Sequence, residues 1–144
     1  RFLLSGTGRL GTYIHLGGKV GVLIEVACGK EATVSADAFV ELVKDLTLHI
    51  AACSPKYLTS AEVAPDVIKT EREIYAKQVE NKPANVIDKI VDGKMKKFYS
   101  EACLVDQLFV KEQKVSITEL LAQKGKELGD TLTIKRYVRY QMGA

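Results

Sequence analysis

The stretch "LGTYIHLGGKVGVLIEV", residues 10–26, decides the fold. Before its central Gly17-Gly18 pair, Tyr13 and His15 alternate with Thr12, Ile14 and Leu16. After the pair, Val20, Val22, Ile24 and Val26 fall on one face, and Leu23 adds apolar weight to the other. Two alternating runs joined by residues that tolerate positive φ predict an antiparallel β-hairpin. A third alternating run, "TLTIKRYVRYQM", closes the chain at residues 131–142. Strand alternation places Leu132, Ile134, Arg136, Val138 and Tyr140 on one side of it, and Thr133, Lys135, Tyr137 and Arg139 on the other.

Helical spacing fills the middle of the chain. In residues 35–55, Phe39, Leu42, Val43, Leu46, Ile50 and Cys53 follow the i, i+3, i+4, i+7 rule. Ser35 or Asp37 can cap this helix, and Ser54-Pro55 can end it. Thr59 and Glu62 have the spacing of a capping box, and Pro65 suits the first turn of a second, exposed helix reaching about Asn81. A third helix carries Val86, Ile87, Ile90, Val91, Met95, Phe98 and Ala102 on one face, with Gly93 weakening it locally. "DQLFVKEQK", residues 106–114, reads as a connection. Ser116 and Glu119 then form a capping box for a short helix ending at Gly129. The order predicts an α+β protein: a small three-stranded antiparallel sheet packed by helices, in one domain spanning residues 1–144.

Composition narrows the function classes. The 144 residues are 47% hydrophobic and 27% charged, with a net charge of +3 that does not demand a nucleic acid. Cys28, Cys53 and Cys103 are widely spaced, which suggests a reducing compartment with the thiols as small core residues. No apolar run is long enough to cross a membrane. The start "RFLLSGTGRLG" lacks a signal-peptide core, and Arg1 in place of Met reads as processing or as a piece of a longer chain. Secretion is not expected.

Catalytic sets are not legible. The carboxylates are interleaved with Lys and Arg on helix surfaces, and His15 and His49 are the only histidines. Each has the position of a structural histidine, one on a strand and one near a helix's apolar stripe. Gly6, Gly8 and Gly11 have GxGxxG spacing, but a strand rather than a helix follows, so the dinucleotide reading fails its context. "KMKKFY" and "IKRYVRY" mix basic and aromatic residues without concentrating charge on one face, so direct nucleic-acid binding is not expected.

Five segments, in order, resemble the dimerisation domain of translation elongation factor Ts. They are "YIHLGGKVGVLIEVAC", "LVKDLTLHIAACSPKYL", "VIKTEREIYAKQ", "KIVDGKMKKFYSEACLVDQLFVK" and "IKRYVRYQMGA". The resemblance implies a protein that is not an enzyme and uses no cofactor or metal. It implies a guanine-nucleotide exchange factor that releases GDP from elongation factor Tu. It begins where the family's N-terminal ubiquitin-associated-like helical module would end. It further implies self-association or a place in a multi-subunit assembly, in a mitochondrial or plastid matrix or a bacterial cytoplasm.

The family's Thr-Asp-Phe-Val motif, which presses an acid and an aromatic ring into the GTPase beside its magnesium site, follows a cysteine matched by Cys28. Its counterpart here is Lys30-Glu31-Ala32-Thr33. The acid survives as Glu31, and the aromatic wedge is reduced to the methyl of Ala32. His49 matches a helix histidine that reaches the GTPase. Gln107-Leu108-Phe109-Val110 matches a Gln-Pro-Phe-Val segment without its proline. The partner-binding expectation therefore rests on Glu31, Ala32 and His49. The alternative is an exchange-deficient relative serving as a structural or assembly subunit.

Overall fold

A computed structural model describes residues 6–143, so most of the apolar start at residues 1–5 lies outside the described residues. The chain divides into two compact units, one of residues 1–54 and 108–144, the other of residues 55–107.

The first unit is built on an antiparallel sheet. Strands β1 (Gly8–His15) and β2 (Val20–Ala27) form the expected hairpin, and β5 (Thr133–Gln141) pairs with β2, giving the order β1-β2-β5. Gly17 and Gly18 both have positive φ, and Leu16, expected in the strand, shares it at 53°. Val20, Val22, Ile24 and Val26 are all buried. Helix α2 (Asp37–Cys53) covers that face with Phe39, Leu42, Leu46 and Ile50, each buried. Such side chains typically contribute about 1.5–3 kcal/mol each on burial. Gly8 and Gly11 are strand residues here, and a Cβ on Gly11 would collide with Val43 and crowd Ile24 and Thr47. Gly11 thus serves close helix-on-sheet packing, whereas a Cβ on Gly8 would collide with the Val26 carbonyl of the neighbouring strand.

Three expectations about this unit need correction. Helix α2 is N-capped by Ala36 without a side-chain bond, not by Ser35 or Asp37. The strict alternation of β5 breaks because Glu25 pairs with Arg136 while Val26 pairs with Ile134, leaving Lys135 as a bulge. Leu132 and Ile134 therefore face the core, while Arg136, Val138 and Tyr140 align with the outward Glu25, Leu23 and Gly21. Arg139 turns inward, and its Nη2 donates to the carbonyl of Ala51 in the last turn of α2 at 3.0 Å, where a cation complements the helix dipole. Finally, residues 106–114 are not simply a connection: β3 (Leu108–Phe109) and β4 (Glu112–Ser116) pair as a small second sheet.

Helix α5 (Ile117–Leu128) matches its sequence reading closely. Ser116 Oγ accepts from the Glu119 N–H at 3.2 Å, Glu119 Oε1 accepts from the Ser116 N–H at 3.1 Å, and Gly129 ends the helix at φ 62°. A cap of this kind typically contributes about 1 kcal/mol.

The second unit holds α3 (Pro65–Gln78) and α4 (Ala84–Ala102). Pro65 is at the start of α3, which has no buried residue. Glu62 does not complete a capping box; its carboxylate accepts from the Leu58 N–H at 2.6 Å, and residues 60–62 form one 3-10 turn. Of the seven apolar residues expected to line α4, Val91, Met95 and Ala102 are buried. Arg72 and Asp92 join α3 to α4 at 2.8 Å. Cys103, at the end of α4, is buried, and burial first, then Asp106 and Glu62, push its thiol up to about 11. It is thus a protonated, packed thiol at neutral pH.

Candidate partner-binding site

The segment after β2 is more ordered than its length suggests. Residues Glu31–Val34 form a one-turn helix, α1, and Thr33 alone is buried. Glu31 and Ala32 sit side by side on its exposed side. A four-residue helix with no capping side chain of its own needs external support. The carboxylate of Asp130, just beyond α5, supplies it. Asp130 Oδ1 accepts from the Gly29 N–H at 2.7 Å, and Oδ2 accepts from the Lys30 N–H at 3.0 Å and the Thr33 hydroxyl at 2.6 Å. Oδ1 also accepts from the Thr131 N–H at 2.7 Å. These donors, the Thr33 hydroxyl foremost, hold the Asp130 carboxyl down to about 2. Sequence reading missed Asp130; its only local signal is its place after the helix-ending Gly129.

His49 is in a different setting. Its side chain is 0% exposed. Nδ1 accepts from the Val110 N–H at 3.1 Å and lies 3.8 Å from Cys53 Sγ, and the ring tilts against Phe109 with centroids 6.1 Å apart. An Nδ1 that accepts places the neutral ring's proton on Nε2. One turn earlier on α2, Asp45 binds the Lys111 ammonium at 3.1 Å. His49 and Asp45 together fix residues 109–111 on α2. The ring is thus wholly buried and engaged within the chain. Leu108, standing where the resembling family has proline, begins β3.

The outer face of the sheet is the other candidate surface. Leu10, Ile14, Leu23 and Tyr140 project from it, with Ile14 67% and Tyr140 74% exposed. Toward one end, Arg136 Nε meets Glu25 Oε1 at 2.7 Å across the β2–β5 pair. His15 lies on β1, with its Nδ1 2.6 Å from the Tyr13 hydroxyl. Among the described residues no group of three His, Cys, Asp or Glu side chains is placed to hold a metal, and no helix is long and apolar enough to cross a membrane.

Comparison with known proteins agrees with this architecture. The family described as Elongation factor TS matches residues 2–144. Elongation factor Ts of Koribacter versatilis is 43% identical over 142 residues, covering 97% of this chain and 65% of that protein. Elongation factor Ts of Solibacter usitatus is 42% identical over 138 residues, covering 94% of this chain and 65% of its own length. That of Nitratidesulfovibrio vulgaris strain DP4 is 40% identical over 142 residues, covering 97% and 50%. The chain belongs to the elongation factor Ts family, a family of translation elongation factors. It spans about half to two thirds of the length of these relatives.

Proposed function

We propose that this chain is an elongation factor Ts-like core domain, residues 1–144, that binds an elongation factor Tu-type GTPase and promotes GDP release only weakly. It supplies binding energy rather than chemistry of its own. An exchange factor acts through contacts that are stronger with the nucleotide-free partner than with the GDP-bound one. The observation that carries the reading is the α1 edge, where an acid and a small side chain stand exposed at the positions of the family's acid and wedge. His49 contributes indirectly, by holding Phe109 and Val110. The bacterial relatives favour a compartment with bacterial-type translation, either a bacterial cytoplasm or an organelle matrix. Calorimetry against such a GTPase, prepared nucleotide-free and GDP-bound, tests this. We expect binding with a preference for the nucleotide-free form below about tenfold, which corresponds to roughly 1.4 kcal/mol of coupling. Failure to bind either form would reject the reading in favour of an assembly subunit, the alternative that the methyl of Ala32 favours.

The exposed sheet face is the proposed self-association surface. A second copy fits it because a twofold axis would bring Leu10, Ile14, Leu23 and Tyr140 against their own counterparts, with each Glu25–Arg136 pair self-complementary in charge. Sedimentation equilibrium should show a dimer that Leu23→Glu converts to monomer. A monomer at high concentration in the unmodified chain would overturn the assignment.

A further inference from the structure

We propose that Asp130 is a positioning residue for partner binding: it clamps Gly29–Thr33 so that α1 presents Glu31 and Ala32 outward. This rests on the reading of α1 as the partner-binding edge.

Three features converge on this one carboxylate. First, it accepts four hydrogen bonds, three of them from Gly29, Lys30 and Thr33, about a hundred residues away in sequence. Charge-assisted bonds of this kind are roughly twice as strong as neutral ones. Second, its own backbone is fixed by the end of α5. Gly129 adopts φ 62°, and the Asp130 N–H donates to the Gly125 carbonyl at 2.9 Å, closing the helix with a Schellman-type bond. Third, nearby glycines leave room for it. A Cβ on Gly29 would stand 2.8 Å from Asp130 Oδ1, and one on Gly125 would stand 2.6 Å from the Asp130 carbonyl oxygen. Both distances are shorter than real side chains allow, and the second neighbour is backbone. The arrangement joins the end of α5 to the start of α1. With Thr33 drawn inward, Glu31 and Ala32 are left facing solvent.

The charged neighbours are consistent with a clamp that stays ionised. Lys30 and Lys126 line the hollow around Asp130, and Glu31 follows Lys30. The nearby Cys28 thiol is raised, by burial first and then by Asp130. The Asp130 carboxyl, held at about 2 against an ordinary 3.8, is depressed, so the clamp is complete above about pH 4 and is lost as pH falls toward 2.

The test combines amide NMR on the whole chain with binding to a Tu-type GTPase. In the unmodified chain, the amide shifts of Gly29 and Thr131 should follow one titration near pH 2. Thr33→Val removes the leading donor and should move that midpoint upward while leaving the fold intact. Asp130→Asn should abolish the titration. It should also speed hydrogen exchange at Gly29 and Lys30 by about tenfold or more, without altering exchange at Ile24 and Val26 in the core of the sheet. GTPase affinity should fall by about tenfold in the same variant, as loss of charge-assisted contacts implies. Unchanged exchange at Gly29 and Lys30 would overturn the clamp. Faster exchange with unchanged GTPase affinity would overturn its role in binding. If the unmodified chain binds no Tu-type GTPase, the proposed function falls, and the amide measurements alone decide the clamp.

Discussion

Replacing Ala32 with Phe and Glu31 with Asp should raise the rate of GDP release from a Tu-type GTPase by about thirtyfold over the unmodified chain. An aromatic anchor at the centre of an interface contributes about 2 kcal/mol or more, and that energy corresponds to roughly thirtyfold. The local structure permits the change. Residue 32 is exposed on a single helical turn whose inward position is taken by Thr33, so a ring there can point away from the sheet. Asp in place of Glu shortens the side chain by one methylene and returns the charge to the family's position. The gain should be confined to nucleotide release, with the thermal midpoint within about 2 °C, because exposed substitutions rarely exceed 0.5 kcal/mol. Stopped-flow release of a fluorescent GDP analogue reads this directly. Equal rates for the variant and the unmodified chain would show that the α1 edge is not where the partner is engaged.

His49→Ala should lower the stability of the chain by about 3 kcal/mol, and its thermal midpoint by about 10 °C. Two costs add. The fully buried ring leaves a cavity beside Phe109, and the Val110 N–H loses its acceptor. An orphaned donor costs about 1–3 kcal/mol when buried, and the part-buried Val110 N–H falls at the lower end of that range. Asp45 and Lys111 would still tether the segment, but half-exposed ion pairs contribute little. Any loss of GTPase binding in this variant should accompany faster amide exchange at Val110, whose N–H His49 holds in the turn between β3 and β4. A thermal midpoint within about 2 °C of the parent would show instead that His49 behaves as a surface residue.

The parts of the fold that were legible in the sequence are those with periodic or local signals. The four inward residues of β2 and the stripe of α2 each repeat at the period of their element, and the Ser116–Glu119 box and Gly129 are readable within a few residues. What escaped lacks such a period. Helix α1 is four residues long, too short for a stripe. The bulge at Lys135 breaks the alternation of β5 without leaving a mark in the residue pattern, which by itself puts Arg136, Val138 and Tyr140 on the face of Leu132 and Ile134. The β3–β4 pair is brief and irregular in register. At the candidate site, Glu31 and Ala32 were found through family resemblance and are at the surface. The burial of His49 agrees with its place near the apolar stripe of α2. Asp130 could not be read at all, because its partners lie about a hundred residues upstream and only folding brings them together.

Release of a fluorescent GDP analogue from a Tu-type GTPase, followed by stopped flow with the unmodified chain in excess, decides whether this chain is a weak exchange factor. Saturable acceleration of less than about tenfold is expected, because the coupling available without an aromatic wedge is below roughly 1.4 kcal/mol. Acceleration by several orders of magnitude, undiminished by Asp130→Asn, would contradict weak exchange.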